Sequence, residues 1–228
     1  MKYPCEIISD GAMTLLTSVP LDIKAAHSAN SYVGNSASNQ VFEIALHGPK
    51  IKVTGEYAIA ICGADLSPCI NDERINNGQA YVVSKGDIIS FGENRSGIRA
   101  YLARGESAGE GIPYVLPTSN VLQVSPAPEF EQLPQNLVAS LFSHKFTVSA
   151  LANRMGAQLE QRLANELDDI ITSPVIPGTV QLTPDGRLII LLADCQTTGG
   201  YPRVLQLSFE ALSVMAQLGP GAELQFRR

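Results

Sequence analysis

Short apolar runs recur along this chain, most of them closed by Gly, Pro, Asn, Asp or Lys. Residues 41–47 alternate, with Phe42, Ile44 and Leu46 on one face and Glu43 on the polar one, as a half-buried strand does. Residues 57–62, 80–83, 88–91 and 97–103 continue the pattern. In the second half, strands are predicted at 121–124, 145–149, 179–182, 187–193, 203–207 and 223–226. Thr183-Pro184-Asp185-Gly186 separates two of them with Pro and Gly where a reversal favours them. Many short strands at this spacing predict a mainly β fold built from barrels or sandwiches. Three segments carry helical periodicity instead: 22–33, opened by a capping Asp22, then 135–142, and 208–218, stopped by Gly219-Pro220-Gly221.

The stretch 103–134 is rich in Gly, Pro, Ser and Glu, with Pro126, Pro128 and Pro134 closely spaced. Such composition reads as a linker or exposed connection. It divides the 228 residues into an N-terminal domain, 1–120, and a C-terminal domain, 121–228. The net charge of −6 is spread over both halves without a basic patch, which argues against nucleic acid and anionic membrane as partners. No run of 18 apolar residues predicts a membrane span, and Met1-Lys2-Tyr3-Pro4-Cys5-Glu6 lacks the apolar core of a leader. The expected location is therefore cytoplasmic. The four cysteines show no C-x-x-C spacing and the three histidines are scattered, so no metal site is expected.

The densest chemistry follows the apolar run 188–193: Asp194-Cys195-Gln196-Thr197-Thr198-Gly199-Gly200-Tyr201-Pro202. A carboxylate such as Asp194 can orient a substrate N–H or act as a base. Gln196 offers a donor and acceptors. Thr197, Thr198 and the N–H groups of Gly199 and Gly200 suit a carboxylate, a phosphate or a developing oxyanion. The alternative is a tight turn in which Thr and Gln bond their own backbone. Arg154, in Asn153-Arg154-Met155-Gly156, is either an anion-holding fork or a structural salt bridge between the two halves. Gln181 either faces the same cleft or points to solvent. Asp194, Gln196 and Arg154 are the candidate catalytic residues; Asn153, Gln181, Thr197, Thr198, Gly199, Gly200 and Tyr201 are the candidate substrate contacts. Outside this set, Asn30 and Asn35 read as loop braces and Glu43 as solvated or paired, with a catalytic base as the lesser alternative. Asp65 either caps a turn or reaches a ligand. No phosphate loop, dinucleotide fingerprint, nucleophile elbow or H-E-x-x-H is present.

The segments 194–202 and 153–156 together resemble one family, the C-type subunit of the bacterial ATP-dependent 5-oxoprolinase. That family is also known as allophanate hydrolase subunit 2 and as the antagonist of a sporulation kinase inhibitor. It is similar to part of the carboxyltransferase domain of urea carboxylase. Further matching elements follow in order: Ala29-Asn30, Val33-Gly34-Asn35, Phe42-Glu43-Ile44, Gly48-Pro49, Ile61-Cys62-Gly63-Ala64-Asp65 and Lys85-Gly86-Asp87. Gly97-Ile98-Arg99-Ala100-Tyr101-Leu102-Ala103, Ser173-Pro174, Pro177-Gly178-Thr179-Val180-Gln181, Pro184-Asp185-Gly186, Ala216-Gln217-Leu218 and Pro220-Gly221 complete the resemblance.

The resemblance implies two cyclophilin-like β-barrel domains with a few short helices, the first shortened. It implies hydrolysis of 5-oxoproline to glutamate, with ATP bound together with a partner protein and no metal or biotin site in this chain. The implied partners are the B-type and A-type subunits of the same enzyme. A second reading is a non-catalytic protein that antagonises the B-type partner. A third, ranked lowest, is an amide-binding part of a carboxyltransferase, since no Ala-Met-Lys-Met biotin attachment segment occurs. Three departures stand out: the opening motif is reduced to Ser9-Asp10-Gly11-Ala12-Met13, residues 105–119 replace a longer Gly- and Arg-rich loop, and Cys195 stands where the family has Arg.

Overall fold

The computed structural model describes residues 5–165, 167 and 169–228. Met1 to Pro4, part of the stretch read above for a leader, lie outside them. The fold is mainly β, with three short α-helices among the described residues, in two compact units, Met1–Leu116 and Pro117–Arg228.

The first unit contains β1 (Cys5–Ser9), β2 (Met13–Thr17), α1 (Ile23–Tyr32), β3 (Val41–Ala45), β4 (Lys50–Val53), β5 (Tyr57–Asp65), β6 (Cys69–Ile70), β7 (Glu73–Arg74), β8 (Ala80–Val83), β9 (Ile88–Ser90) and β10 (Ser96–Gly105). They form two five-stranded sheets, ordered β1-β4-β9-β6-β7 and β2-β3-β10-β5-β8. Side chains alternate across a strand, and β5 shows the consequence. Tyr57, Ile59 and Ile61 join Phe42, Ile44, Ile51, Ile89 and Leu102 in one core. Ala58, Ala60 and Cys62 face the other way, against Ala25, Ala26, Ala29 and Val33 of the α1 region. A strand covered on both faces reads as a continuous apolar run, which is why β5 carries no polar alternation.

Of the two readings of Glu43, solvated or paired, the structure selects the second: Glu43 is fully buried. Its Oε2 accepts from Leu21 N (2.9 Å) and its Oε1 lies 3.8 Å from Arg99 Nε. Leu46 is not on the buried face but exposed, at φ 63°, where β3 ends. Asp22 caps α1 through Oδ1 to Ala25 N (3.1 Å). Its own N–H donates to Tyr101 Oη (2.8 Å), and its Oδ2 accepts from Tyr114 Oη (2.7 Å). Asn30 and Asn35 brace the following loop: Asn30 Nδ2 donates to Asn39 O, and Asn35 Nδ2 donates to Asn30 Oδ1 and Arg104 O. Asp65 caps a turn, accepting from Ser67 N (2.9 Å) and pairing with Arg74 (2.8 Å).

The second unit contains β11 (Val121–Pro126), α2 (Gln135–Ser143), β12 (Phe146–Thr147), β13 (Gly156–Arg162), β14 (Ser173–Pro174), β15 (Thr179–Leu182), β16 (Arg187–Leu191), β17 (Thr198–Gly199), β18 (Arg203–Leu207), α3 (Phe209–Ala216) and β19 (Glu223–Arg227). Seven strands form one sheet, ordered β12-β19-β11-β18-β15-β16-β13; β11 and β19 run parallel, the other pairs antiparallel. Strand β14 pairs with β17. The stretch 103–134 is therefore not simply a linker. It contains β11, and Glu129 within it is buried by a two-pronged pair with Arg203 (2.9 and 2.8 Å). No helix among the described residues is long and apolar enough to cross a membrane.

Candidate functional site

Strands β13 and β16 are antiparallel neighbours, with Gly156 opposite Leu191. The residues just before one and just after the other therefore leave the sheet at the same end. Arg154 and Asp194 meet there. Arg154 Nε donates to Asp194 Oδ2 (2.7 Å) and Nη2 to Oδ1 (2.9 Å), a bidentate fork. The backbones are tied as well: Asp194 N donates to Arg154 O (3.0 Å) and Leu192 N to Met155 O (3.1 Å). Asp194, a partner of Arg154 among the described residues, lies in the same unit.

The side chain of Arg154 is 10% exposed and that of Asp194 46%. The guanidinium bonds hold the Asp194 carboxyl below the usual carboxylate range. An ionised, oriented and half-open carboxylate of lowered basicity is a fixed hydrogen-bond acceptor more than a proton-abstracting base, because efficient bases titrate near the working pH. Burial pushes the neighbouring Cys195 thiol up, with the Asp194 charge adding to it.

Beneath the same loop lies Gln181 on β15. It is 1% exposed, so it does not point to solvent. Its Nε2 donates to Tyr201 O (3.3 Å), and its Oε1 accepts a long bond from Gln196 Nε2 (3.5 Å). The structure thus joins Arg154 to Asp194, and Gln181 to Gln196, Gly199 and Tyr201.

The remaining candidates have local partners. Asn153 shapes its own turn, accepting from Met155 N (2.8 Å) and donating to Leu151 O (3.3 Å). Thr197 O accepts from Val175 N (3.0 Å), and Gly200 O from Ile170 N (2.9 Å). Thr198 and Gly199 sit opposite Pro174 and Ser173 in the β14–β17 pair. The side chains of Thr197 and Thr198 are on an exposed loop. Gly199 and Gly200 are not among the glycines with positive φ. The need for glycine at 199 is one of space, since Gln181 lies directly under it.

One supporting residue is invisible in the sequence pattern. Arg203, besides holding Glu129, donates through Nη1 to Pro174 O (2.9 Å) and so fixes β14 under the loop. Its partner stands 74 positions away, a distance no local motif reveals. Among the described residues, no group of three His, Cys, Asp or Glu could hold a metal ion.

The family model "Carboxyltransferase domain, subdomain A and B" matches residues 14–108 and 110–228. The 5-oxoprolinase C subunit of Escherichia coli (strain K12) is 23% identical over 250 residues, covering 90% of this chain and 80% of that protein. The urea amidolyase of Lachancea kluyveri is 37% identical over 84 residues, 37% of this chain and 5% of that protein. Among solved structures, TTHA0988 superposes with a TM-score of 0.86 at 25% identity, over 98% of this chain. This chain spans only 55% of that one. The urea carboxylase of Kluyveromyces lactis gives a TM-score of 0.87 at 21% identity, over 99% of this chain and 27% of its own, a likeness of fold. Matched over nearly its whole length, the chain belongs to the carboxyltransferase domain, subdomain A and B, family.

Proposed function

We propose that this chain is the C-type component of an ATP-dependent 5-oxoprolinase, opening the lactam 5-oxoproline to glutamate together with B-type and A-type partners. The observation that carries the reading is the similarity to the 5-oxoprolinase C subunit over 90% of this chain and 80% of the relative. The Arg154–Asp194 fork fits it. A lactam presents one N–H donor and one carbonyl acceptor side by side. Asp194, held still by Arg154 and half open, offers an oriented acceptor for the N–H. Gln196, braced from below by Gln181, offers a carboxamide to the carbonyl. Orientation of this kind lowers a barrier by removing freedom before the reaction.

ATP supplies the drive for opening a stable amide. The reading that ATP is not held by this loop is supported by the β14–β17 pairing, which engages Thr198 and Gly199, and by the Arg154 fork, which carries Asp194. In this reading ATP is held with the partner proteins. The test is ATP-dependent 5-oxoproline turnover by the co-purified assembly, with and without Asp194→Ala. Loss of turnover with the assembly intact supports the reading; unchanged turnover sinks the assigned site.

A second reading, a binding protein that antagonises a B-type partner, is favoured by Cys195. A half-buried thiol replaces the family's arginine and makes no bidentate anion contact. Retained partner binding without turnover in the unmodified assembly would select it.

A further inference from the structure

Asn77 is the one asparagine of this chain that precedes a glycine. The pair lies between β7 and β8, in a segment, 75–79, that is hydrogen-bonded to β5. Asparagine is a thermolabile residue, and before glycine it loses its side-chain amide most readily. Glycine has no Cβ to shield its own nitrogen from the neighbouring carboxamide carbon. The fold nevertheless needs glycine at 78. Its φ is 74°, a region that costs most other residues energy. A Cβ there would meet nothing closer than Tyr32 Oη at 3.8 Å, so the requirement is one of backbone conformation and not of space.

The closed segment holds each reacting group back. Gly78 N, the nucleophile, donates to Ile61 O (2.8 Å). Asn77 Nδ2, the leaving group, donates to Gly63 O (3.3 Å) and Ala64 O (3.0 Å). Asn77 Oδ1, where negative charge gathers during attack, is buried and accepts no hydrogen bond from the described residues, so nothing stabilises that charge. One hydroxyl latches the segment on both flanks of the pair: Asn76 N donates to Tyr81 Oη (2.9 Å), and Gln79 Nε2 donates to the same oxygen.

We propose that Asn77 is a deamidation site, that opening of residues 75–79 gates the reaction, and that the Tyr81 hydroxyl sets how often the segment opens. In the open segment the Gly78 nitrogen gives its proton to solvent and bonds to Asn77 Cγ. The Cγ–Nδ2 bond then breaks, and Nδ2 takes up a proton and leaves as ammonia. Water adds to either carbonyl of the resulting cyclic imide and leaves aspartate or isoaspartate at position 77. The change is one-way. A carboxylate returning to this place would set oxygen against the Gly63 and Ala64 carbonyl oxygens, where an NH2 group had donated, and acceptors left facing acceptors are costly. The proposal does not rest on the 5-oxoprolinase reading, since none of its residues belongs to the Arg154–Asp194 site.

The full chain is incubated in mildly alkaline buffer, folded and in urea, and conversion of each asparagine is followed by peptide mass spectrometry. Early conversion in urea should be at Asn77, and it should run at least about tenfold slower in the folded chain, as a local opening equilibrium requires. Tyr81→Phe keeps the ring that packs on the core and removes the latch. It should speed conversion of the folded chain about three- to tenfold, the scale of one or two lost hydrogen bonds, and leave the rate in urea unchanged. Amide hydrogen exchange at Gly78 in the parent chain measures the opening directly and should account for the ratio of the two rates, which covers the case in which Tyr81→Phe fails to fold. Asn77→Asp, which installs one product, should remove the protection of the Gly78 amide. Equal rates folded and in urea, early conversion at another asparagine, a folded Tyr81→Phe with the parent's rate, an unprotected Gly78 amide in the parent, or a protected one in Asn77→Asp each overturn the proposal.

Discussion

A Cβ atom at Gly199 would lie 2.5 Å from Nε2 of Gln181. The glycine is there because a buried carboxamide occupies the space a methyl would need. That carboxamide is pinned by Tyr201 O and contacted by Gln196, so it cannot swing aside freely. Gly199→Ala is expected to push it off both partners. The cost should be about 1 kcal/mol, the scale of one or two weakened hydrogen bonds. Thermal unfolding measures the loss, and the backbone ¹⁵N shifts of residues 194–202 should move with it.

Arg154→Lys tests the fork. A lysine supplies one point of contact where the guanidinium supplies two, so the Asp194 carboxyl should lose its fixed orientation. Turnover in the proposed assembly should fall about tenfold or more. The acid side of the pH profile should shift as well. With Arg154 in place, the depressed Asp194 carboxyl stays ionised until the pH falls below the usual carboxylate range. With lysine the loss should begin at higher pH. An unchanged acid limb would separate Asp194 from the activity.

Arg203→Met should be the most costly substitution of this group for stability. Arg203 and Glu129 are 16% and 11% exposed, and removing one partner of such a pair strands the other charge. The expected loss is about 3–5 kcal/mol, read by urea denaturation. The hydrogen bonds from Arg203 hold the Glu129 carboxyl low. Its contribution is therefore present above the unfolded glutamate pKa of about 4.3 and lost as the pH falls through the lower folded value. In Arg203→Met that acid-side decline should flatten.

At the alkaline end the sign reverses. Burial raises the Tyr57 hydroxyl to about 12, with Cys5 adding and Arg104 opposing. The stability linked to this group is intact below the unfolded tyrosine pKa of about 10. It is lost as the pH rises toward about 12. Denaturation midpoints measured from pH 9 to 12 should fall more steeply for the parent chain than for Tyr57→Phe.

Gly186 closes the turn between β15 and β16 at φ 83°, and a Cβ there would run into the carbonyl oxygen of Leu163. Gly186→Ala combines left-handed strain with a clash against backbone. A loss of about 2 kcal/mol or more is expected from the strain alone and its relaxation. Melting temperature is the readout, and an unchanged value would contradict the placement of Leu163 over the turn.

What the sequence could determine was whatever is written in adjacent residues. The turn at 183–186, the cap at Asp22 and the strands at 179–182 and 203–207 are local signals, and the structure has them where the pattern puts them. The polar run 194–202 was likewise visible as dense chemistry after an apolar strand. Strand β13 was not, because only Ala157 and Leu159 of its residues are buried and the rest read as polar. Nor were β14 and β17, too short to show a period. Tertiary structure alone decided the charge partners. Glu43 is buried where Leu21 N and Arg99 close on its carboxylate, Gln181 because the 194–202 loop folds over it, and Arg154 meets Asp194 because two strands end side by side. Periodicity records which face of an element is apolar, but what comes to lie against a face depends on contacts between residues far apart in the chain.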